Sequence, residues 1–80
     1  MYYVYLLVSE DGRKYIGYTA NLKARLQSHN SGKVKSTKGR KWELVYYEAY
    51  KEEVLAKKRE RNLKKNWRLR VALYKRLNLR

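Results

Sequence analysis

Apolar and polar residues alternate in two short runs at the start of the chain, with a polar break between them. Tyr2 to Val8 is aromatic and β-branched and predicts a strand. Lys14 to Thr19 predicts a second, shorter one. Between them, Glu10-Asp11-Gly12 suits a three-residue hairpin loop with Gly12 in the left-handed conformation. That loop pairs Ser9 with Arg13, Leu7 with Tyr15, and Tyr5 with Gly17. Tyr5, Leu7, Tyr15 and Gly17 then share one face, and Gly17 leaves open space beside the Tyr5 ring. A two-residue loop would send the tyrosines to opposite faces.

After the hairpin the period changes. Asn21 can cap a helix running from Leu22 to about His29, and Asn30-Ser31-Gly32 ends it in a polar, glycine-bearing way. Gly32 to Lys41 is basic and without periodicity. Trp42 to Tyr50 alternates as a third strand, with Trp42, Leu44, Tyr46 and Tyr50 on one face and Val45, Tyr47 and Ala49 on the other. Lys51 to about Trp67 predicts a long helix, and Arg68 to Leu77 a further one, with Asn66 as the joint. Ala56, Glu60, Leu63 and Trp67 form its expected buried stripe. The predicted class is α/β of the α+β type: one domain over residues 1–80, a small three-stranded antiparallel sheet flanked by helices.

Charge narrows the function classes. The net charge is +14 over 80 residues, with no cysteine and a single histidine. No acid lies between Gly12 and Trp42, a span that holds Lys33, Lys35, Lys38, Arg40 and Lys41 among its cations. None follows Glu60, where Lys64, Arg68 and Arg80 are among the cations. Self-repulsion on this scale is relieved by a polyanion, so a nucleic acid is the expected partner and an anionic membrane surface the main competitor. The opening residues lack the layout of a signal peptide and look like a strand, so truncation there should be damaging. No apolar run approaches the roughly 20 residues of a membrane span, and no membrane association is expected. The absence of cysteine excludes disulfides and thiolate zinc sites and fits a reducing, cytoplasmic location.

Three side chains carry chemistry beyond charge. Taking Leu22 as zero on its helix, His29 falls at about 340° and Arg25 at about 300°, so both flank the apolar stripe. Either they snorkel outward or they meet the tyrosine face of the hairpin. Glu60 interrupts an apolar stripe, and a carboxylate there needs compensation. A salt bridge, with Arg25 for example, would supply it; so would a divalent metal ion such as Mg²⁺, which one carboxylate plus waters and phosphate oxygen often holds. Glu52 and Glu53, at the start of the same helix, serve its dipole. The nine tyrosines and two tryptophans are mostly core material in a chain without phenylalanine.

Tyr3-Val4-Tyr5, Tyr15-Ile16-Gly17-Tyr18-Thr19, Asn21-Leu22, Arg25-Leu26, His29-Asn30-Ser31-Gly32 and Glu60, in this order, resemble the GIY-YIG nuclease superfamily from about Tyr2 to Trp67. The second triplet is intact; the first has its glycine and isoleucine replaced. The chain is most similar to short single-domain members related to the nuclease subunit of bacterial excision repair. It differs from them in lacking a proline near Lys41 and glycines near Asn66 and Arg68. The resemblance implies phosphodiester hydrolysis with one divalent ion, Mg²⁺ or Mn²⁺, in DNA repair or recombination. It implies that Glu60 holds the metal, Arg25 stabilises the transition state, and Tyr5 and Tyr15 orient the attacking water with one of them as base. His29 would assist proton transfer or hold a tyrosine. A free tyrosine titrates near pH 10, so only about a thousandth is ionised at neutral pH; the base must be perturbed, hand its proton on, or leave the nucleophile to metal-bound water.

Two functions of different class follow: a DNA endonuclease, or a non-catalytic basic clamp for nucleic acid, RNA included, on the same fold. A site-free basic protein of a ribosome or membrane surface is the third. A clamp has no use for Glu60, which repels phosphate, and this favours the enzyme.

Overall fold

A computed structural model describes residues 1–79, so Arg80 lies outside the described residues. Strands β1 (Tyr2–Ser9), β2 (Lys14–Thr19) and β3 (Trp42–Tyr50) and helices α1 (Leu22–Asn30), α2 (Glu53–Lys65) and α3 (Trp67–Arg76) follow in the order β1-β2-α1-β3-α2-α3. A short 3-10 turn, Lys35–Thr37, interrupts the α1–β3 loop. The sheet is antiparallel in the order β2-β1-β3, so β1 is central.

The hairpin has the predicted register: Leu7 pairs with Tyr15 and Tyr5 with Gly17. Its loop closes through hydrogen bonds from Ser9 N to Arg13 O and from Gly12 N to Ser9 O, with Gly12 at φ +83°. A residue with a Cβ is disfavoured in that left-handed region, which glycine enters freely. Both faces of β1 are covered, and Val4 to Leu7 are each at most 2% exposed. On one face, Tyr5, Leu7 and Trp42 pack with Tyr15, Leu44 and the α1 residues Leu22 and Leu26. On the other, Val4, Leu6 and Ile16 pack with Ala56 and Leu63 of α2 and Leu73 of α3.

Two expectations are corrected. The single face assigned to Trp42, Leu44, Tyr46 and Tyr50 is split. A β-bulge shifts the β1–β3 register, so Leu6 pairs with Tyr46 but Leu7 with Leu44, leaving Val45 as the extra residue. Trp42 and Leu44 therefore face α1, whereas Tyr46 and Tyr50 face α2 and α3. The buried stripe on α2 is also shorter than predicted. Ala56 and Leu63 are buried, Glu60 is partly exposed and Trp67 is 60% exposed. The cause is Asn66, which ends α2 and caps α3, its side chain accepting from Arg68 N and Leu69 N. Trp67 starts a new helix axis and leaves the old stripe. Asn66 does this at φ −114°, a conformation that needs no glycine.

Candidate active site

The register of the hairpin, one helix and one loop turn build a buried polar cluster on the α1 face. Tyr5 on central β1 projects under Gly17 of β2. A Cβ on Gly17 would lie 2.5 Å from the Tyr5 hydroxyl oxygen and 2.7 Å from Tyr5 Cζ, so no larger residue fits without moving that ring. Tyr15 lies alongside, its ring centroid 6.3 Å from that of Tyr5 and 4.7 Å from that of His29.

Helix α1 delivers two of the other residues. Asn21 caps it by accepting from Ala24 N, as its sequence predicts. Arg25 Nε donates to the Tyr5 hydroxyl at 3.4 Å. His29 is fully buried, with Nε2 2.9 Å from the Tyr5 hydroxyl and Nδ1 2.8 Å from Thr37 Oγ1. Thr37 Oγ1 donates its own proton to the Val34 carbonyl at 3.3 Å, because a carbonyl can only accept. Thr37 thus accepts from His29 Nδ1–H, and Nε2 is left bare to accept the Tyr5 proton. The result is one directional chain: Tyr5 O–H to His29, His29 N–H to Thr37, Thr37 O–H to Val34.

Electrostatics agree with that direction. Burial, and next the charge of Arg25, hold His29 below its ordinary pKa, which keeps the imidazole neutral at pH 7. Burial is also the main effect on Tyr5 and raises its pKa, with the Arg25 hydrogen bond working against it and Tyr15 and Glu60 adding to it. Tyr5 is therefore a protonated phenol, poised to pass a proton along and not to stand as a phenolate. The hydrogen bond with Tyr5 raises the pKa of Arg25, which remains a cation.

Glu60 approaches from α2. It is partly exposed and pairs with Lys64 one turn on, at 3.2 Å; Arg25 is engaged with Tyr5. The salt-bridge partner that the sequence offered for Glu60 is thus Lys64, not Arg25. The same ammonium lies 5.6 Å from the Tyr15 ring centroid, so α2 meets the tyrosines here. Tyr5, Tyr15, Arg25, His29 and Gly17 form a contacting group, with Glu60 at its edge. Among the described residues no three His, Cys, Asp or Glu side chains gather as a metal cage. A single carboxylate, from which a divalent ion would have to displace the Lys64 ammonium, matches only a hard ion held mostly by water and phosphate oxygens, and does not suit a zinc-type site.

Of the cations assigned to nucleic acid, Lys33, Lys35, Lys38 and Lys41 are exposed on the α1–β3 loop. Arg40 is tied to Asp11 at 3.1 Å, Lys64 to Glu60, and Arg68 lies over the Trp67 ring. The loop is anchored at both ends. Trp42 Nε1 donates to Thr37 O, and the Asn30 amide both accepts from Trp42 N and donates to Trp42 O. The sequence reading missed Thr37 and Asn30. The only sign of Thr37 is a small hydroxyl residue inside a run of lysines, and no periodicity marks it as buried.

A family model described as the GIY-YIG catalytic domain matches residues 1–76. A UPF0213 protein of Staphylococcus haemolyticus is 42% identical over 79% of this chain and 79% of its own length. Another, from Bacillus pumilus, is 40% identical over 91% of this chain and 76% of its own. The solution NMR structure of a UPF0213 protein from Bacillus halodurans superposes with a TM-score of 0.59 at 35% identity, covering 94% of this chain and 84% of that one.

Proposed function

The chain belongs to the GIY-YIG catalytic domain family, a family of nucleases, and from that premise we propose that it is a divalent-metal-dependent endonuclease cutting DNA phosphodiester bonds. The observation that carries the reading is the Tyr5–His29–Thr37 chain, a buried proton path that a passive clamp does not need.

In this mechanism Tyr5 takes a proton from the attacking water as it gives its own to His29 Nε2 over 2.9 Å. The relay avoids the free phenolate that burial disfavours. Thr37 keeps the imidazole in the accepting tautomer and still accepts from Nδ1–H once His29 is charged. Arg25 faces the charge that develops on the phosphate, and Tyr15 fixes the direction of attack. Glu60 would hold a Mg²⁺ or Mn²⁺ ion, which when bound supplies charge neutralisation at the phosphate and leaving oxygens. Since Tyr5 is only 2% exposed, it serves a water delivered with the substrate and not bulk solvent. A role in DNA repair or recombination fits this chemistry. RNA is the other polyanion the basic surface would take.

The test is incubation with labelled branched, nicked and single-stranded DNA, with and without Mg²⁺ or Mn²⁺, comparing wild type with Glu60→Gln. Metal-dependent cutting lost in the variant is the expected result. Tight binding with no cutting on any substrate would replace the enzyme with the clamp.

A further inference from the structure

The relay face of the sheet continues past Tyr5 into two aromatic rings that the fold leaves open. Tyr3 lies two residues before Tyr5 on central β1 and so shares its face. Tyr47 pairs with Tyr5 across the β1–β3 ladder and points the same way. Tyr47 is 53% exposed, Tyr3 is partly exposed, and Ala49, opposite Tyr3, is exposed and too small to cover either. The α1 layer does not take these rings in. Its Leu22 and Leu26 pack on Tyr5, Leu7 and Trp42, a cluster to which neither ring belongs.

The two rings meet edge to face, with centroids 5.8 Å apart and planes at 74°. Such a contact uses the edge of one ring and one face of the other, and leaves the remaining faces open to a further π-system. Tyrosines on the opposite face of the sheet are spent differently. Tyr46 and Tyr50 donate to Glu48, and Arg76 lies over the Tyr46 ring. Among the described residues, no cation covers Tyr3 or Tyr47. The surroundings also favour a polyanion. Neither the strand positions on this face nor α1, which supplies Arg25, holds an acid; Glu43 and Glu48 of β3 pair with Val8 and Val4, on the opposite face. Two residues advance a strand by about 6.6 Å, so the open rings stand beside the relay and not over it.

We propose that Tyr3 and Tyr47 form a stacking platform for an unpaired base next to the bond being cut. The substrate is then DNA that is single-stranded at that point, as in an overhang, a flap or a branch. A base inside a duplex is already stacked, and taking it out costs least where it is unpaired. Every base has a π-face, so the platform selects strand structure and not sequence. Placing the base beside a cut bond rests on the nuclease reading; the base contact itself does not. Trp67, at 60% exposure, is the other open aromatic, but Arg68 lies over its ring and α3 packs on the opposite face of the sheet.

The test is anisotropy on the full chain without metal, using two labelled strands: a thymidine hexanucleotide, and a hexamer of abasic tetrahydrofuran units with the same phosphates and no bases. Wild type should bind the thymidine strand at least about fivefold tighter, the low end of one base–aromatic contact. Tyr47→Ala should bring that preference below about twofold, while Tyr47→Phe and Trp67→Ala keep it. Because Tyr47 is exposed, the alanine variant leaves the core intact. Its slope of log K against log salt should match wild type, since no phosphate contact is lost. Equal binding of the two strands by wild type, or a preference undiminished in Tyr47→Ala, would overturn the platform. Cleavage is scored separately, with Mg²⁺. A chain that prefers bases through Tyr47 but never cuts DNA keeps the platform and loses the nuclease reading. One that cuts DNA with no preference for bases does the reverse.

Discussion

Thr37→Val isolates the proton path from the rest of the site. Valine keeps the volume but removes the acceptor that His29 Nδ1–H now reaches at 2.8 Å in a fully buried position. A buried donor without an acceptor costs about 1–3 kcal/mol. The imidazole escapes most of that by shifting its proton to Nε2, since a bare nitrogen facing methyl groups costs less than an orphaned N–H. Tyr5 must then accept where it now donates, and the relay points the wrong way. Two effects follow together. Stability falls by roughly 1 kcal/mol or more, which for a domain of this size lowers Tm by about 4–8 °C per kcal/mol. Cleavage in single turnover falls by about 10²-fold, the lower end of what a positioned acid–base group contributes. Circular-dichroism melts give the first, labelled DNA the second, and ¹⁵N chemical shifts of the single histidine the tautomer. Thr37→Ser should restore all three. A valine variant whose Nε2 carries the proton yet cleaves at the wild-type rate would refute the relay.

Gly17→Ala places a methyl group 2.5 Å from the Tyr5 oxygen; it should cost about 1–3 kcal/mol in stability and abolish most cleavage while leaving DNA affinity within about twofold, measured by melts and anisotropy. His29 titrates below its unfolded value of 6.5, so the unfolded chain binds the extra proton first. Its share of stability is complete above about pH 6.5 and drains away as pH falls toward the folded pKa, and His29→Gln should flatten that part of a urea-midpoint curve between pH 7.5 and 5.5. On the opposite sheet face, Glu48 accepts two bonds from Arg59 and one each from Tyr46 and Tyr50. These bonds hold its pKa below the usual carboxylate value against the opposing effect of burial, while burial and Glu48 push Tyr50 up to about 12. Glu48→Gln should destabilise the fold by about 1–3 kcal/mol at pH 7 and by less below the ordinary carboxylate pKa, without changing the cleavage rate of folded protein.

Much of this was readable from local chemistry. Glu10-Asp11-Gly12 determines the hairpin register, and the register puts Tyr5 and Tyr15 on one face over Gly17. Asn21 and Asn66 mark helix ends because their short amides satisfy backbone donors wherever they occur. The failures share a cause: they depend on contacts between segments far apart in sequence. Nothing near Val45 announces a bulge, which shows only in how β3 pairs with β1. Thr37 lies in a lysine-rich loop and is buried only because Trp42 and Asn30 pull that loop inward. Trp67 joined the expected stripe because the predicted helix ran two residues past Lys65, across the Asn66 joint. The basic residues show the same limit, since charge counts could not tell the exposed Lys33 and Lys35 from Arg40, which Asp11 engages.

The extra residue in β3 makes that strand forgiving at one position and not at its neighbours. Removing Val45 would join Leu44 to Tyr46, which already face opposite layers as neighbours in a regular strand do, so the ladder would close with every side chain on its present face. Losing Glu43 from the regular part of the ladder would instead turn Trp42, which closes the loop carrying Thr37, away from α1. Relatives of this chain should accordingly accommodate a one-residue gap at Val45 but keep the spacing from Trp42 to Leu44. A gap between those two would mark a member whose histidine has lost its support.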